Sequence, residues 1–89
     1  MNNDITLFIY INSRFNDKIN INENKKLIEL KNEIAKKLNI SNQFYFVHNF
    51  SEYDYNSKKQ LNIIPNDKEN SLKIKDIHQY NKIYIYTNN

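Results

Sequence analysis

Residues 24–39, Asn-Lys-Lys-Leu-Ile-Glu-Leu-Lys-Asn-Glu-Ile-Ala-Lys-Lys-Leu-Asn, are the one stretch whose apolar positions recur with a helical period. Leu27, Leu30, Ile34 and Leu38 fall on one stripe, with Lys25, Glu29, Asn32, Glu33 and Lys36 opposite. A helix of this kind buries one face and wets the other. No second segment has the same period, so its cover has to come from strands, which restricts the chain to an α+β architecture. Asn22 or Asn24 is placed to cap the first turn. Asn39 is placed to take the left-handed conformation that ends a helix.

The 89 residues suffice for one core and leave little for a deep catalytic cleft, so a single domain spanning residues 1–89 without enzymatic activity is expected. Cysteine is absent, which removes disulfides and thiolate metal sites. Glycine is absent too, and about a fifth of the chain is asparagine, far above ordinary usage. Asparagine is the side chain that best tolerates positive φ, so turns are expected at Asn12-Ser13, Asn16-Asp17, Asn49, Asn56 and Asn81. The asparagines alternate with isoleucine and do not form blocks, which points away from a prion-like tract. A net charge of +3 is spread along the chain with Arg14 as the only arginine, so the basic signal for nucleic acid is weak. No apolar run is long enough to cross a bilayer, and Met1-Asn2-Asn3-Asp4 lacks the start of a signal peptide; a soluble cytoplasmic monomer is the expectation.

Residues 5–11 alternate strictly, with Ile5, Leu7, Ile9 and Ile11 on one side and Thr6, Phe8 and Tyr10 on the other. After a polar break over residues 12–17, residues 18–22 alternate again, which predicts an antiparallel hairpin with Ile19 and Ile21 inward. Residues 43–48, aromatic and β-branched, predict a third strand. Pro65 limits Leu61 to Ile64 to a short edge strand, residues 66–70 read as a surface turn, and Leu72, Ile74 and Ile77 read as a short connection packed under the sheet. Residues 82–86 close the domain as a strand with Ile83 and Ile85 inward. Strand, strand, helix, strand, crossover, strand is the order of a β-grasp roll, with a mixed sheet of four or five strands packed on one helix.

The apolar spacing of Leu27, Leu30, Ile34 and Ile40, then Leu72, Ile77, Ile83 and Ile85, resembles the ubiquitin-like family over essentially the whole chain. Within that group the chain is most similar to the N-terminal ubiquitin-like domains of the tubulin-folding cofactor B family. The resemblance is carried by Ile5-Thr6-Leu7-Phe8-Ile9, Leu27-Ile28-Glu29-Leu30-Lys31, Asp54-Tyr55-Asn56-Ser57-Lys58 and Lys82-Ile83-Tyr84-Ile85. It implies a non-enzymatic chaperone module acting in α-tubulin folding and tubulin dimer assembly, with tubulin or other folding cofactors as partners and no cofactor of its own. The alternative is a ubiquitin-like adaptor that docks on proteasome or ubiquitin-receptor proteins. Conjugated modifiers of this family end in two glycines, and Tyr86-Thr87-Asn88-Asn89 does not, so docking is expected and conjugation is not. Lys31 corresponds to a family lysine held against the sheet; the simpler expectation is that its stem lies on apolar surface and its head stays in water.

His48 and His78 lack a second ligand at metal spacing and read as ordinary surface or strand-end residues, and a chain without glycine has no phosphate loop. What stands out is the open face of the sheet. If the isoleucines face the helix, alternation puts Phe8, Tyr10, Tyr84 and Tyr86 outside, and the family register adds Phe44 and Phe46, with Tyr45 and Val47 inward. These six aromatics are the expected protein-interaction site, unless the crossover covers them. On this reading Tyr84→Ala or Phe46→Ala weakens partner binding and spares the fold, whereas Ile83→Ala does the reverse. Lysines near an aromatic sheet also suit single-stranded RNA, which the dispersed charge counts against.

Overall fold

The computed structural model describes residues 4–48 and 62–88. Strand β1 (Asp4–Ile11) and strand β2 (Arg14–Asn22) form an antiparallel hairpin, followed by helix α1 (Leu27–Leu38). Strand β3 (Tyr45–His48), the two-residue strand β4 (Asn62–Ile63), a 3-10 turn (Asn66–Lys68), the short helix α2 (Ile74–Ile77) and strand β5 (Lys82–Tyr86) complete the order. The sheet runs β2-β1-β5-β3-β4, parallel between β1 and β5 and antiparallel elsewhere. One mixed five-stranded sheet packed on one main helix is the β-grasp roll that the element order requires.

Positive φ falls to asparagine where glycine would be usual. Asn12 and Ser13 (φ 49° and 70°) make the two-residue turn whose twist matches the strands it joins, and Asn39 (φ 55°) ends α1. Asn16 makes no turn; it lies in a bulge of β2, because Tyr10 pairs with Phe15 while Ile9 pairs with Asp17. The strand therefore starts at Arg14, well before the expected residue 18. Tyr80 and Asn81 (φ 54° and 62°) form a second tight turn, closed between Gln79 and Lys82. Tyr80 is 92% exposed, so no packing offsets the strain of its positive φ, and Tyr80→Asn is expected to raise stability by about 1 kcal/mol in urea denaturation. A loss of stability would show that the ring packs in solution.

Helix α1 is shorter than residues 24–39, and neither Asn22 nor Asn24 caps it. The Asn22 Oδ1 accepts the Asn24 amide at 2.8 Å, and Lys26, paired with Lys73, is the residue before the helix. Its first amides are satisfied from elsewhere: Leu27 donates to the Leu72 carbonyl (2.9 Å), Ile28 to the Glu69 carbonyl (3.0 Å), and the Glu29 carboxylate accepts the Lys26 amide (2.9 Å). The crossover segment is thereby stitched to the start of the helix.

The core between helix and sheet holds Leu7 and Ile9, Ile19 and Ile21, Leu27, Leu30 and Ile34, and Ile83 and Ile85, all as the alternation requires. It also holds Phe44 and Phe46, which corrects the expected register of the third strand. Phe46 pairs with Ile85, and directly opposed residues share a face, so Phe46 must point where Ile85 points. The two rings meet edge to face at 5.8 Å and are 1% and 0% exposed, whereas Tyr45, with a hydroxyl that needs a partner, faces outward. Lys31 is the second correction. Its head is not in water: Nζ lies 2.7 Å from the Glu69 carboxylate, 3.4 Å from the Asn66 Oδ1, and over the rings of Phe44 (5.2 Å) and Phe46 (5.8 Å). Glu69 is likewise inside, so residues 66–70 are more than a surface turn.

Candidate functional site

The outer face of the sheet follows from the inner one. With Leu7, Ile9, Ile83 and Ile85 turned to the helix, Phe8, Tyr10, Lys82, Tyr84 and Tyr86 turn away. Strand register then aligns Phe15, Tyr10, Tyr84, Val47 and Ile63 in a single apolar row that crosses all five strands. Its members differ in exposure: Phe15 is 56% and Ile63 42% exposed, Tyr10 and Tyr84 are half-buried, and Val47 is buried although it lies outside the helix-side core.

Ring contacts make the β2-β1-β5 half of this row continuous. Phe8 and Phe15 lie 6.2 Å apart, Tyr10 and Phe15 5.8 Å in an edge-to-face arrangement, and Tyr10 and Tyr84 5.3 Å. Such pairs contribute about 0.5–1.5 kcal/mol each beyond their burial, so the rings hold one another in place before any partner arrives. The β2 bulge is what brings Phe15 here. Counting back from Ile19 and Ile21 by twos would turn it to the helix, and the extra residue reverses it.

Of the six aromatics expected at the site, the structure places Phe8, Tyr10, Tyr84 and Tyr86 on the outer face and removes Phe44 and Phe46 to the core. Tyr86 is paired with Tyr45, one row beyond Tyr84, and its hydroxyl donates to the Asn88 Oδ1 at 2.7 Å. Alternation alone could not find Phe15, whose place depends on a bulge, or Val47 and Ile63, whose place depends on the register of β3. The turns expected at Asn49 and Asn56, the aromatics Phe50, Tyr53 and Tyr55, and the motif at residues 54–58 lie outside the described residues.

The remaining polar groups fall into two places. His78 is half-buried, not a plain surface residue: its Nδ1 accepts the Asn81 amide at 3.3 Å and its Nε2 lies 3.2 Å from the Glu23 carboxylate, tying the β2–α1 connection to the turn before β5. An open cleft of about 490 Å³ between α1 and the approach to β3 is lined by Ile28, Gln43, Tyr45 and Asn66, with the Lys31 and Glu69 pair beneath it. That pair is spent on itself, and the cleft offers no further charged group. Among the described residues, no three His, Cys, Asp or Glu side chains are grouped to hold a metal, and no helix is long and apolar enough to cross a membrane.

No protein-family model matches this chain, and no curated protein matches it either.

Proposed function

We propose that this chain is a protein-docking module, without catalysis or a cofactor, that receives its partner on the outer face of the sheet. The observation that carries the reading is the run of touching rings from Phe8 and Phe15 through Tyr10 to Tyr84, on three adjacent strands, with Phe8 and Phe15 exposed. Contiguous apolar patches of this kind mark interaction sites, and tyrosine suits them because it joins a large apolar body to a polar tip. Stacked nucleic-acid bases fit the face less well. Its rings pack against one another, and the Lys82 ammonium already lies over Tyr10 at 5.7 Å.

The short-segment resemblance to tubulin-folding cofactor B supports tubulin, or another folding cofactor, as the partner, and hence action in the cytoplasm. An adaptor for proteasome or ubiquitin receptors would use the same face with aromatic in place of aliphatic contacts. Titration with α/β-tubulin and with a ubiquitin-interacting helix separates the two. Whichever binds, Phe15→Ala and Tyr84→Ala are each expected to weaken it about tenfold or more, at a stability cost of about 1–2 kcal/mol from the lost ring contacts, below that of truncating a buried phenylalanine. Binding indifferent to both substitutions would contradict the docking face.

A further inference from the structure

We infer that the partner presented to this face is an acidic segment, in which carboxylates bracket one bulky apolar anchor; the inference rests on the docking reading above. Next to the aromatic row, strand register sets Lys18, Phe8 and Lys82 side by side on β2, β1 and β5. Both lysines are exposed, Lys82 with its ammonium 5.7 Å from the centre of the Tyr10 ring, and neither meets a carboxylate among the described residues. The nearby Asp17 spends one carboxylate oxygen on the Lys18 amide, at 2.7 Å. On the outer face of β1, the only carboxylate is Asp4, at the opposite end of the strand from Tyr10. Two ammonium groups thus flank an exposed phenylalanine, and among the described residues no carboxylate pairs with either.

The charge pattern sets the partner's chemistry. An apolar anchor resting on Phe8 and Phe15 loses water from the face, and the lysines then face whatever charge borders the anchor. Cationic borders are repelled and anionic ones are paired. With one strand between them, Lys18 and Lys82 are rooted roughly 10 Å apart, at about 4.8 Å per strand. Carboxylates that share a face with an anchor between them lie four residues apart in an extended segment, about 13 Å and within reach of two flexible side chains, or about two turns apart on a helix.

Amide shifts of the full chain, titrated with three short synthetic peptides at low salt, test the inference. The first has one phenylalanine anchor bordered on each side by glutamate; the second carries glutamine and the third lysine in place of each glutamate. The glutamate peptide is expected to move the amides of Phe8, Phe15, Lys18 and Lys82 and to bind about tenfold tighter than the glutamine peptide. Its affinity should fall as salt rises, and the lysine peptide should bind weakest. The doubly substituted Lys18→Glu, Lys82→Glu chain, checked for an unchanged thermal melt, should invert that order. Equal binding of all three peptides at the row would overturn the acidic partner and leave the docking face standing. Binding of the glutamate peptide away from the row, or no binding by any of them, would overturn both.

Discussion

Phe46→Ala is expected to destabilise the chain by about 3–5 kcal/mol in urea denaturation, enough to unfold much of the population of a domain this small. The ring is fully buried, pairs across the sheet with Ile85, packs edge to face on Phe44 and lies beneath the Lys31 ammonium. Truncation therefore leaves a cavity and strips one wall from a buried charge. Phe15→Ala supplies the contrast, since that residue is 56% exposed and loses mainly its ring contacts with Phe8 and Tyr10, at a cost of about 1–2 kcal/mol. Two phenylalanines on opposite faces of one sheet thus separate fold from surface. Equal stability losses at the two positions would contradict the register of β3.

Removing one partner of the buried ion pair is the second large effect. Lys31 and Glu69 are 5% and 1% exposed, so Glu69→Gln leaves an ammonium in a site whose other neighbours are two aromatic rings and one amide oxygen. A loss of about 3–5 kcal/mol is expected, because a single buried charge keeps its desolvation cost and loses its compensation. Replacing both, as Lys31→Met with Glu69→Leu, should recover most of that loss, since a well-packed apolar pair carries no such cost. A thermodynamic cycle over the four proteins measures the coupling. Additive effects would mean that the two groups are solvated and independent.

How far the chain could be read from its residues depended on whether the deciding contact was local. The stripe of Leu27, Leu30 and Ile34 and the alternation of Leu7, Ile9, Ile83 and Ile85 are local patterns, and the structure keeps all of them in the core. The positive φ at Asn12, Asn39 and Asn81 was equally legible, because a chain without glycine has few other residues to put there. The run from Phe44 to Val47 was not, since aromatic and β-branched residues occupy both parities and only pairing with β5 decides between them. Phe15 escaped for a related reason: a bulge shifts parity without a signature in the residues themselves.

The helix start and the Lys31 site were hidden by tertiary contacts. Nothing near Leu27 in the sequence announces that its amide will be taken by Leu72, and nothing near Lys31 announces Glu69, 38 positions on. Four members of the outer-face site, Phe8, Tyr10, Tyr84 and Tyr86, were therefore visible. The other members waited on register.

The most direct test of the docking face is the footprint of a bound protein partner, read by amide hydrogen exchange on the full chain with and without it. The account predicts slowed exchange along β1, β2 and β5 around Phe8, Tyr10, Phe15 and Tyr84, with the exposed side of α1 at Glu29, Asn32, Glu33 and Lys36 unchanged. Protection of that side of α1, with the sheet exchanging as in the free chain, would contradict it.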